Sequence, residues 1–369
     1  MRIVLICAAG IVSGKEIMSL HLLRELKSRG HECQCIMSSW GSEDFRDRLR
    51  ALGIPFFNIR IGFISKTLTW SAMRMTLIQG FYLPGLLIRF MSIRQKLRPD
   101  LMIHTNFHHA FLLYPALPKR NNIYWSHEII ANSRFYRFLF QLFYRKVGTF
   151  VCVSDAAATS LTALIGAERV KTIKNGTFIS GEVTTHRKAN GPMVLAIIGQ
   201  VAKSKGHEVL LEALAGIPRN KYILRIIGSG DAAYLAGLKK LIDQKGLVAN
   251  IVWMGFLKDA NKIYEGVDAV IVPSIFPDPY PTTVMESGLR AIPVVASAIG
   301  GLPEMVSEGV NGFLAEPENL ESLRAAIEKL IDHQDFDMIK DQSRVLASKN
   351  FSMETFANNF QNLIVASRL

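Results

Sequence analysis

Two acids eight residues apart, Asp278 and Glu286, stand in the stretch FPDPYPTTVMES at residues 276–287, between the apolar runs DAVIVPS and GLRAIPVVAS. Pro277, Pro279 and Pro281 stiffen the approach, because proline fixes φ and removes an N–H donor. Thr282 or Thr283 is a fitting N-cap for a helix running through Leu289. The unpaired N–H groups of such a helix start are an anion site by geometry and by dipole. The T-x-x-E spacing of Thr283 and Glu286 also fits a capping box, and Asp278 alone fits a turn. Neither of those plain readings explains why both acids flank one helix start at the end of a strand.

A second candidate anion site lies upstream, in AIIGQVAKSKGHEVLLEAL. Lys203 and Lys205 precede Gly206 and a helix, which places mobile positive charge beside a fixed dipole. A solvated basic loop is the alternative, and the tight strand–loop–helix context favours phosphate. Gly228 and Gly230 in IIGSGDAAY let a backbone pass close to a ligand. A base could rest near residues 253–257 of VWMGFLKD, where Phe256 supplies a ring, although each of these also reads as a turn. In AAGIVSGKEIMSL, Gly10, Ser13 and Gly14 precede the first helix without forming G-x-G-x-x-G, so a tight turn and a phosphate contact both fit. His127 in YWSHEII follows a strand, where a structural and a functional histidine are both at home. Gly300, Gly301 and Pro303 in IGGLPEMV need only a structural turn, with Glu304 a first-turn acid.

Positioning such loops takes strands that end together. RIVLICA, ECQCIMS, DLMIHTN, NIYWSHE, TFVCVSD and VKTIKNG are apolar runs of strand length. The segment after the first run repeats apolar residues at Ile17, Leu20, Leu23 and Leu26, a helical period. Continuous apolar strands alternating with helices imply parallel sheets covered on both faces. The pattern lapses in ISGEVTTHRKANGP and resumes with MVLAIIG, YILRIIGSG, NIVWMG, DAVIVPS, IPVVAS and GFLAE. The reading is α/β, with two doubly wound Rossmann-like domains and a cleft between them as the ligand site. Residues 1–180 form the first domain, 181–192 a linker and 193–351 the second, with the last helix, 352–369, returning to the first.

The 369 residues suffice for two domains, and 49% hydrophobic with 20% charged content describes a globular chain. A net charge of +12 suits nucleic acid, an anionic membrane surface or phosphorylated small molecules. No helix-turn-helix, RRM or zinc module is visible, which argues against nucleic acid. Cys7, Cys33, Cys35 and Cys152 form no CxxC pair, so buried, reduced thiols of a cytosolic protein are expected rather than zinc. MRIVLICAAG is too short for a signal peptide's core plus cleavage site and reads as a first strand. The longest uncharged run, 75–88, falls short of the roughly 20 residues of a spanning helix.

These motifs resemble the retaining GT-B glycosyltransferases of group 1, the glycogen-synthase-like and bacterial mannosyltransferase type. The resemblance rests on Gly199-Gln200, Lys205-Gly206, Pro273-Ser274, Asp278 with Glu286 after seven residues, and IPVVASAIGGLPEMV. LKSRGHEC, VCVSDAA and IKNGT match landmarks of the first domain more loosely. The resemblance implies that Lys205 binds the donor diphosphate, that Asp278 lies by hydroxyls of the transferred sugar and that Glu286 holds the ribose. It implies further that Thr282 and Thr283 present backbone to the diphosphate, that His127 lies near the donor sugar and that Gly14 lies near the diphosphate. Lys205, Asp278 and His127 are thus the catalytic candidates. Gly14, Gln200, Lys203, Gly228, Gly230, Phe256, Thr282, Thr283 and Glu286 are the donor-binding ones. Three departures stand out. The family's arginine is Gln200, with Lys203 a candidate replacement. Its first glutamate is Asp278. Its glycines before the helix are Pro279 and Pro281, which cannot donate.

The implied activity is transfer of a hexose from a UDP- or GDP-sugar to a saccharide or lipid-linked saccharide acceptor, with retained configuration, in cell-surface polysaccharide synthesis such as that of lipopolysaccharide. A lysine and a helix N-terminus stabilise the departing diphosphate, so neither metal nor other cofactor is expected. A nucleotide-sugar binder without transfer activity, or a sugar-nucleotide epimerase, are the alternatives. The segments SKTLTWSAMRMTLIQGFYLPGLLIRFMSIRQKLR and SRFYRFLFQLFYRKVG mix aromatic, aliphatic and basic residues. They fit an anionic membrane surface, or core helices with basic outer faces. The expected location is cytoplasmic, with the inner membrane face as a candidate docking place.

Overall fold

A computed structural model describes residues 1–7, 12–62, 70–119, 121–178 and 191–366. The chain divides into two compact units, Met1–Asn175 with Glu354–Leu369, and Gly176–Met353. The linker expected at 181–192 falls almost wholly outside the described residues, as does Gly10.

The first unit alternates β1 (Arg2–Ile6), α1 (Gly14–Ser28), β2 (Glu32–Ser38), α2 (Glu43–Ala51), β3 (Phe56–Ile59), α3 (Trp70–Leu97), β4 (Leu101–His104), α4 (Phe107–Leu113), β5 (Asn122–Ser126), α5 (Arg134–Tyr144), β6 (Thr149–Cys152), α6 (Asp155–Ile165) and β7 (Val170–Thr172). Its strands form one parallel sheet in the order β3-β2-β1-β4-β5-β6-β7. The order reverses between β1 and β4, the switch point where open α/β sheets leave a crevice. β1, β4 and β5 are buried almost throughout, as strands sandwiched between helix layers must be.

In the second unit, β8 (Met193–Ile198), α7 (His207–Ala215), β9 (Tyr222–Ile227), α8 (Ala232–Gln244), β10 (Ile251–Gly255), α9 (Ala260–Tyr264), β11 (Ala269–Val272), α10 (Thr282–Leu289), β12 (Val294–Ser297) and β13 (Gly312–Ala315) follow one another. Then come α11 (Leu320–Ile331), α12 (Phe336–Asn350) and α13 (Met353–Ala366). The sheet order is β10-β9-β8-β11-β12-β13, again all parallel, with the reversal between β8 and β11. One apolar cluster spans β8, β9, β11, α7 and α11, with Leu195, Leu211, Leu224, Ile271 and Ile327 buried at its centre. Both units are therefore Rossmann-like, as the alternating runs imply.

Two features depart from the sequence reading. β3 is absent from the list of expected strands. Its residues, FFNI, pair only with β2 at the sheet edge, and Asn58 interrupts the apolar run so that only Ile59 is fully buried. The uncharged run at 75–88 is only part of α3, a 28-residue helix that continues through Arg89 and Arg94. Within α3, 76–97 is long and apolar enough to cross a membrane by length and composition. The exposed side of α3 is apolar as well as basic. Leu86, Phe90, Ile93 and Leu97 face the core, and apolar side chains face outward too.

All four cysteines are buried and unpaired, and burial pushes the Cys7 thiol up to about 11 and those of Cys33 and Cys152 up to about 12.

The C-terminal helix completes the first unit's core. Phe356 and Phe360 of α13 are buried, and their rings lie 5.8 and 5.0 Å from the fully buried indole of Trp125. Polar contacts frame the seam, with Arg29 donating to Asn358 Oδ1 at 2.8 Å and His31 Nε2 sharing a hydrogen with Gln361 Oε1 at 2.8 Å. Phe360→Ala removes a ring from a closed site and is expected to cost about 3–5 kcal/mol. Denaturant unfolding followed by tryptophan fluorescence measures the loss, and a cost near zero would show that α13 is not part of the first unit's core.

Candidate functional site

The carboxyl edge of the second sheet brings together segments far apart in sequence. After β8 the chain passes Gly199 and Gln200, makes a single 3-10 turn at Lys203–Lys205, and enters α7 through Gly206. Gly206 is left-handed, at φ +73° and ψ 26°, which favours glycine on backbone grounds alone. A Cβ there would also lie 1.8 Å from the Pro273 carbonyl oxygen. The start of α7 therefore lies directly against the chain leaving β11. Two further hydrogen bonds join these loops, from the Ile275 and Phe276 N–H groups to the Ser204 carbonyl at 3.0 and 3.4 Å.

That contact brings the chemistry together. Lys205 Nζ lies 2.5 Å from Asp278 Oδ2, with the lysine side chain 37% and the aspartate 13% exposed. Asp278 is itself fixed by its backbone, whose carbonyl accepts from the Gly301 N–H at 2.8 Å. Gly300, at φ +64°, leaves no room for a Cβ beside that carbonyl. The glycine pair that needed only a turn in the sequence reading thus holds the proline loop in place.

α10 follows, and its start differs from expectation. The N-cap is Pro281, in extended conformation at φ −68° and ψ 131°, and Thr282 and Thr283 are the first two helical residues. Their side chains therefore point along the helix rather than capping it. The Thr282 hydroxyl instead favours the charged form of Glu286, one turn on. The Thr282 and Thr283 N–H groups still have no partner within the helix, whereas the Val284 N–H bonds the Pro281 carbonyl at 3.3 Å.

Glu286 is surrounded by groups the sequence reading did not single out. The Tyr264 hydroxyl donates to Glu286 Oε2 at 3.0 Å from a fully buried ring. Arg290 stacks its guanidinium 4.6 Å from that ring centre and donates to the Glu286 carbonyl at 3.0 Å. Burial raises the Glu286 carboxyl above its ordinary value, opposed by the Tyr264 hydrogen bond, the Arg290 charge and the Thr282 hydroxyl. Arg290 was recoverable from its i, i+4 spacing to Glu286 on one helix face. Tyr264 lies 22 residues from Glu286 on α9 and carries no local signal.

The remaining candidates divide by unit. Gln200, Lys203 and Phe256 are exposed at the same carboxyl edge, after β8, in the turn before α7, and after β10. Gly228 and Gly230 have a structural reason that does not involve a ligand. A Cβ at either would collide with the carbonyl of Gly199 or Val201, so these glycines let β8 and β9 end side by side. In the first unit, Gly14 is the first residue of α1. Its N-cap, Ser13, donates through N–H and Oγ to Glu16 Oε2 at 3.1 and 2.5 Å. His127 follows β5 with its ring 4.3 Å from that of Trp125, and its buried Nε2 meets no protein partner among the described residues. Burial, reinforced by the Lys15 charge, holds this imidazole well below its ordinary value, so it is neutral at physiological pH.

Comparison with known proteins gives a consistent result. The model of the group 1 glycosyl transferases matches residues 182–346, and that of the family 4 glycosyltransferases matches 12–179. An uncharacterised glycosyltransferase of Methanocaldococcus jannaschii is 28% identical over 174 residues, 46% of this chain and 44% of that protein. The D-inositol 3-phosphate glycosyltransferase of Mycobacterium marinum is 29% identical over 143 residues, 37% of this chain and 30% of that protein. The chain thus matches less than half the length of these curated relatives. Among solved structures, Anabaena HepE in complex with UDP superposes with a TM-score of 0.81 at 21% identity, covering 99% of this chain and all of that one. Sucrose-phosphate synthase from Thermosynechococcus elongatus also reaches 0.81, at 17% identity, covering 99% and 98%. At those identities the match establishes the two-domain GT-B fold.

The buried carboxylate makes a test by titration. The folded-state pKa of Glu286 lies above its unfolded value of about 4.5, so the stability it contributes is complete below that value and lost as pH rises through the raised one. Glu286→Gln keeps an acceptor for Tyr264 but cannot ionise. Its stability relative to the parent is therefore expected to improve as pH rises above about 4.5 and to level off once the raised value is passed. Thermal melts of both proteins across that range check the sign, and a difference independent of pH would show that Glu286 is not held in a raised state.

Proposed function

Because the chain belongs to the group 1 glycosyltransferases, we propose that it transfers a hexosyl group from a nucleoside diphosphate sugar to a saccharide acceptor, with retention of anomeric configuration. The observation that carries this reading is the Lys205–Asp278 pair, held beside the start of α10 by the Gly206–Pro273 backbone contact. A lysine at a helix N-terminus meets the two charges of a departing diphosphate with one mobile cation and a set of fixed N–H dipoles. Of the two candidate donors, a UDP-sugar is favoured over a GDP-sugar, since structures of Anabaena HepE, similar in fold, hold UDP and UDP-glucose. A saccharide acceptor is supported in the same way by similarity to lipopolysaccharide outer core galactosyltransferase WaaB and to WaaG, a glycosyltransferase of lipopolysaccharide biosynthesis. A role in cell-surface polysaccharide synthesis follows as part of this proposal.

The bond between the anomeric carbon and the diphosphate oxygen breaks as the acceptor oxygen forms its bond on the same face. The acceptor's proton passes to the leaving diphosphate oxygen, so no side chain need act as nucleophile. In this scheme Lys205 leaves Asp278 to meet the diphosphate, and the freed Asp278 carboxylate accepts from hydroxyls of the transferred sugar. Its charge also stabilises the cationic character that develops at the anomeric carbon. Glu286, aimed by Tyr264 and Thr282, accepts from the ribose hydroxyls. Pro279 and Pro281 withhold two N–H groups from the loop, which leaves the first turn of α10 as its main supply of donors.

Lys205→Ala is expected to lower kcat/KM at least about a hundredfold while leaving the melting temperature near that of the parent, since the side chain is partly exposed. A thermal-shift panel of UDP- and GDP-hexoses on the parent should show a selective upward shift with one base. Absence of any shift, or unchanged turnover in the variant, would overturn the assignment. Transfer is further expected to persist in EDTA, because the leaving group's charge is met by protein groups; loss of turnover restored by Mg²⁺ would contradict it.

A further inference from the structure

We infer that the outward line of α3 is a docking face for an anionic lipid bilayer. Trp70, Leu77, Phe81 and Ile88 recur at spacings of seven, four and seven, which aligns them along one side of a helix with 3.6 residues per turn. They are 87%, 73%, 83% and 65% exposed. The diametrically opposite line, Gln79, Leu86, Phe90, Ile93 and Leu97, is buried against β1, β2, β3 and α4. α3 is thus apolar on two opposed sides, and only one of them is covered among the described residues. Four large apolar side chains in a row exceed the scattered exposure that soluble surfaces ordinarily carry.

The charge around this line selects the occupant. No acidic residue occurs between Asp47 and Asp100, an interval that holds seven arginines and two lysines. Arg74 and Arg89 are exposed on α3 itself. At one edge of the line, Arg60 lies 4.9 Å over the ring of Tyr82, which also meets the ring of Phe81 at 5.6 Å and the half-exposed indole of Trp40 at 6.4 Å. Tryptophan, tyrosine and arginine around an apolar strip are the residues that settle at the headgroup level of a bilayer. The same side of the unit continues into α5, since α4 contributes to the apolar clusters beneath both helices. There Phe135 and Phe138 are exposed, each directly after an arginine, Arg134 and Arg137, again with no acid in the helix. A second copy of the chain fits less well, because two-fold pairing would set one acid-free face against another.

The helix lies along the surface rather than across it. Its inner line is locked into the first unit's core, and Arg94 donates to the Ala116 carbonyl. Gln79 Oε1 accepts the Gly62 N–H at 2.6 Å. Insertion across a bilayer would break these contacts, whereas seating the outer line in the headgroup region breaks none.

The test needs neither donor nor acceptor, so it stands independently of the glycosyl-transfer reading. The full chain is floated with vesicles of phosphatidylcholine alone and with vesicles containing phosphatidylglycerol, at low and at high salt. Binding to the anionic vesicles is expected, weakened by salt but not abolished. Leu77→Glu with Phe81→Glu should lower the partition at least about tenfold, with an unchanged melting temperature because both side chains are exposed. No flotation on anionic vesicles at low salt, or equal flotation of parent and variant, would overturn the inference. Sedimentation that shows a dimer which the double substitution dissociates would overturn it in favour of a second copy.

Discussion

The contact on which the second unit's site depends is one between backbones. Gly206 and the Pro273 carbonyl approach so closely that no side chain fits between them, and the Ser204 carbonyl accepts two N–H groups from the same strand exit. This fixes the height of Lys205 relative to the loop that follows β11. Gly300 and Gly301 repeat the device from the other side, pressed against the backbone of Asp278. A long, flexible lysine and a carboxylate 73 residues away meet at 2.5 Å because three loops are held together by glycines. The polar chemistry is thus a consequence of where backbone can touch backbone at the carboxyl ends of β8, β11 and β12.

A different logic governs Glu286. It stands in the second turn of α10, out of reach of the free N–H groups at the helix start, so the dipole gives it limited help. Burial works against its charge, and Tyr264, Arg290 and Thr282 work for it. Such a carboxylate is rigid, since its partners fix both its side chain and its carbonyl, and it retains acceptor capacity beyond the one hydrogen bond to tyrosine. Asp278 is the converse: short, partly exposed and paired with a mobile cation. On the proposed reading the rigid acid suits a group every donor shares, the ribose. The exchangeable pair suits the part of the donor that changes during reaction.

Much of this was legible in the sequence, for reasons that vary by element. The buried strands are long enough to show continuous apolar runs, and each ends in glycine or polar residues, so their order could be read. β3 could not, because Asn58 breaks its short apolar run and only Ile59 is fully buried at the sheet edge. Asp278 and Lys205 were identifiable because each sits between a strand end and a helix start, and Glu286 because it lies one turn into the helix that follows Asp278. That Lys205 and Asp278 touch was not identifiable, since the contact is made by the tertiary meeting of two loops. The cap of α10 was misassigned because Pro281, which lacks a capping side chain, adopts the extended conformation that ends the loop, leaving threonine hydroxyls free to bond within the helix. Gly228 and Gly230 suggested close passage of a ligand, and the structure shows close passage of another strand.

α3 shows why pattern reading fails when both sides of a helix are apolar. An amphipathic helix reveals its buried face by contrast with a polar one. Here the core line and the outer line cancel, and the sequence looks like an interrupted hydrophobic run. Only the fold distinguishes them, by pairing one line with β1, β2, β3 and α4 and leaving the other in solvent. Arg74 stands beside the outer line, one turn from both Trp70 and Leu77, and Arg89 on a flank between the two lines. Were the outer line merely tolerated, nothing would require the acids to be absent from the whole interval between Asp47 and Asp100. An apolar strip and a one-sided charge balance on the same helix make a combined demand, and a surface that is both greasy and negative meets both halves of it.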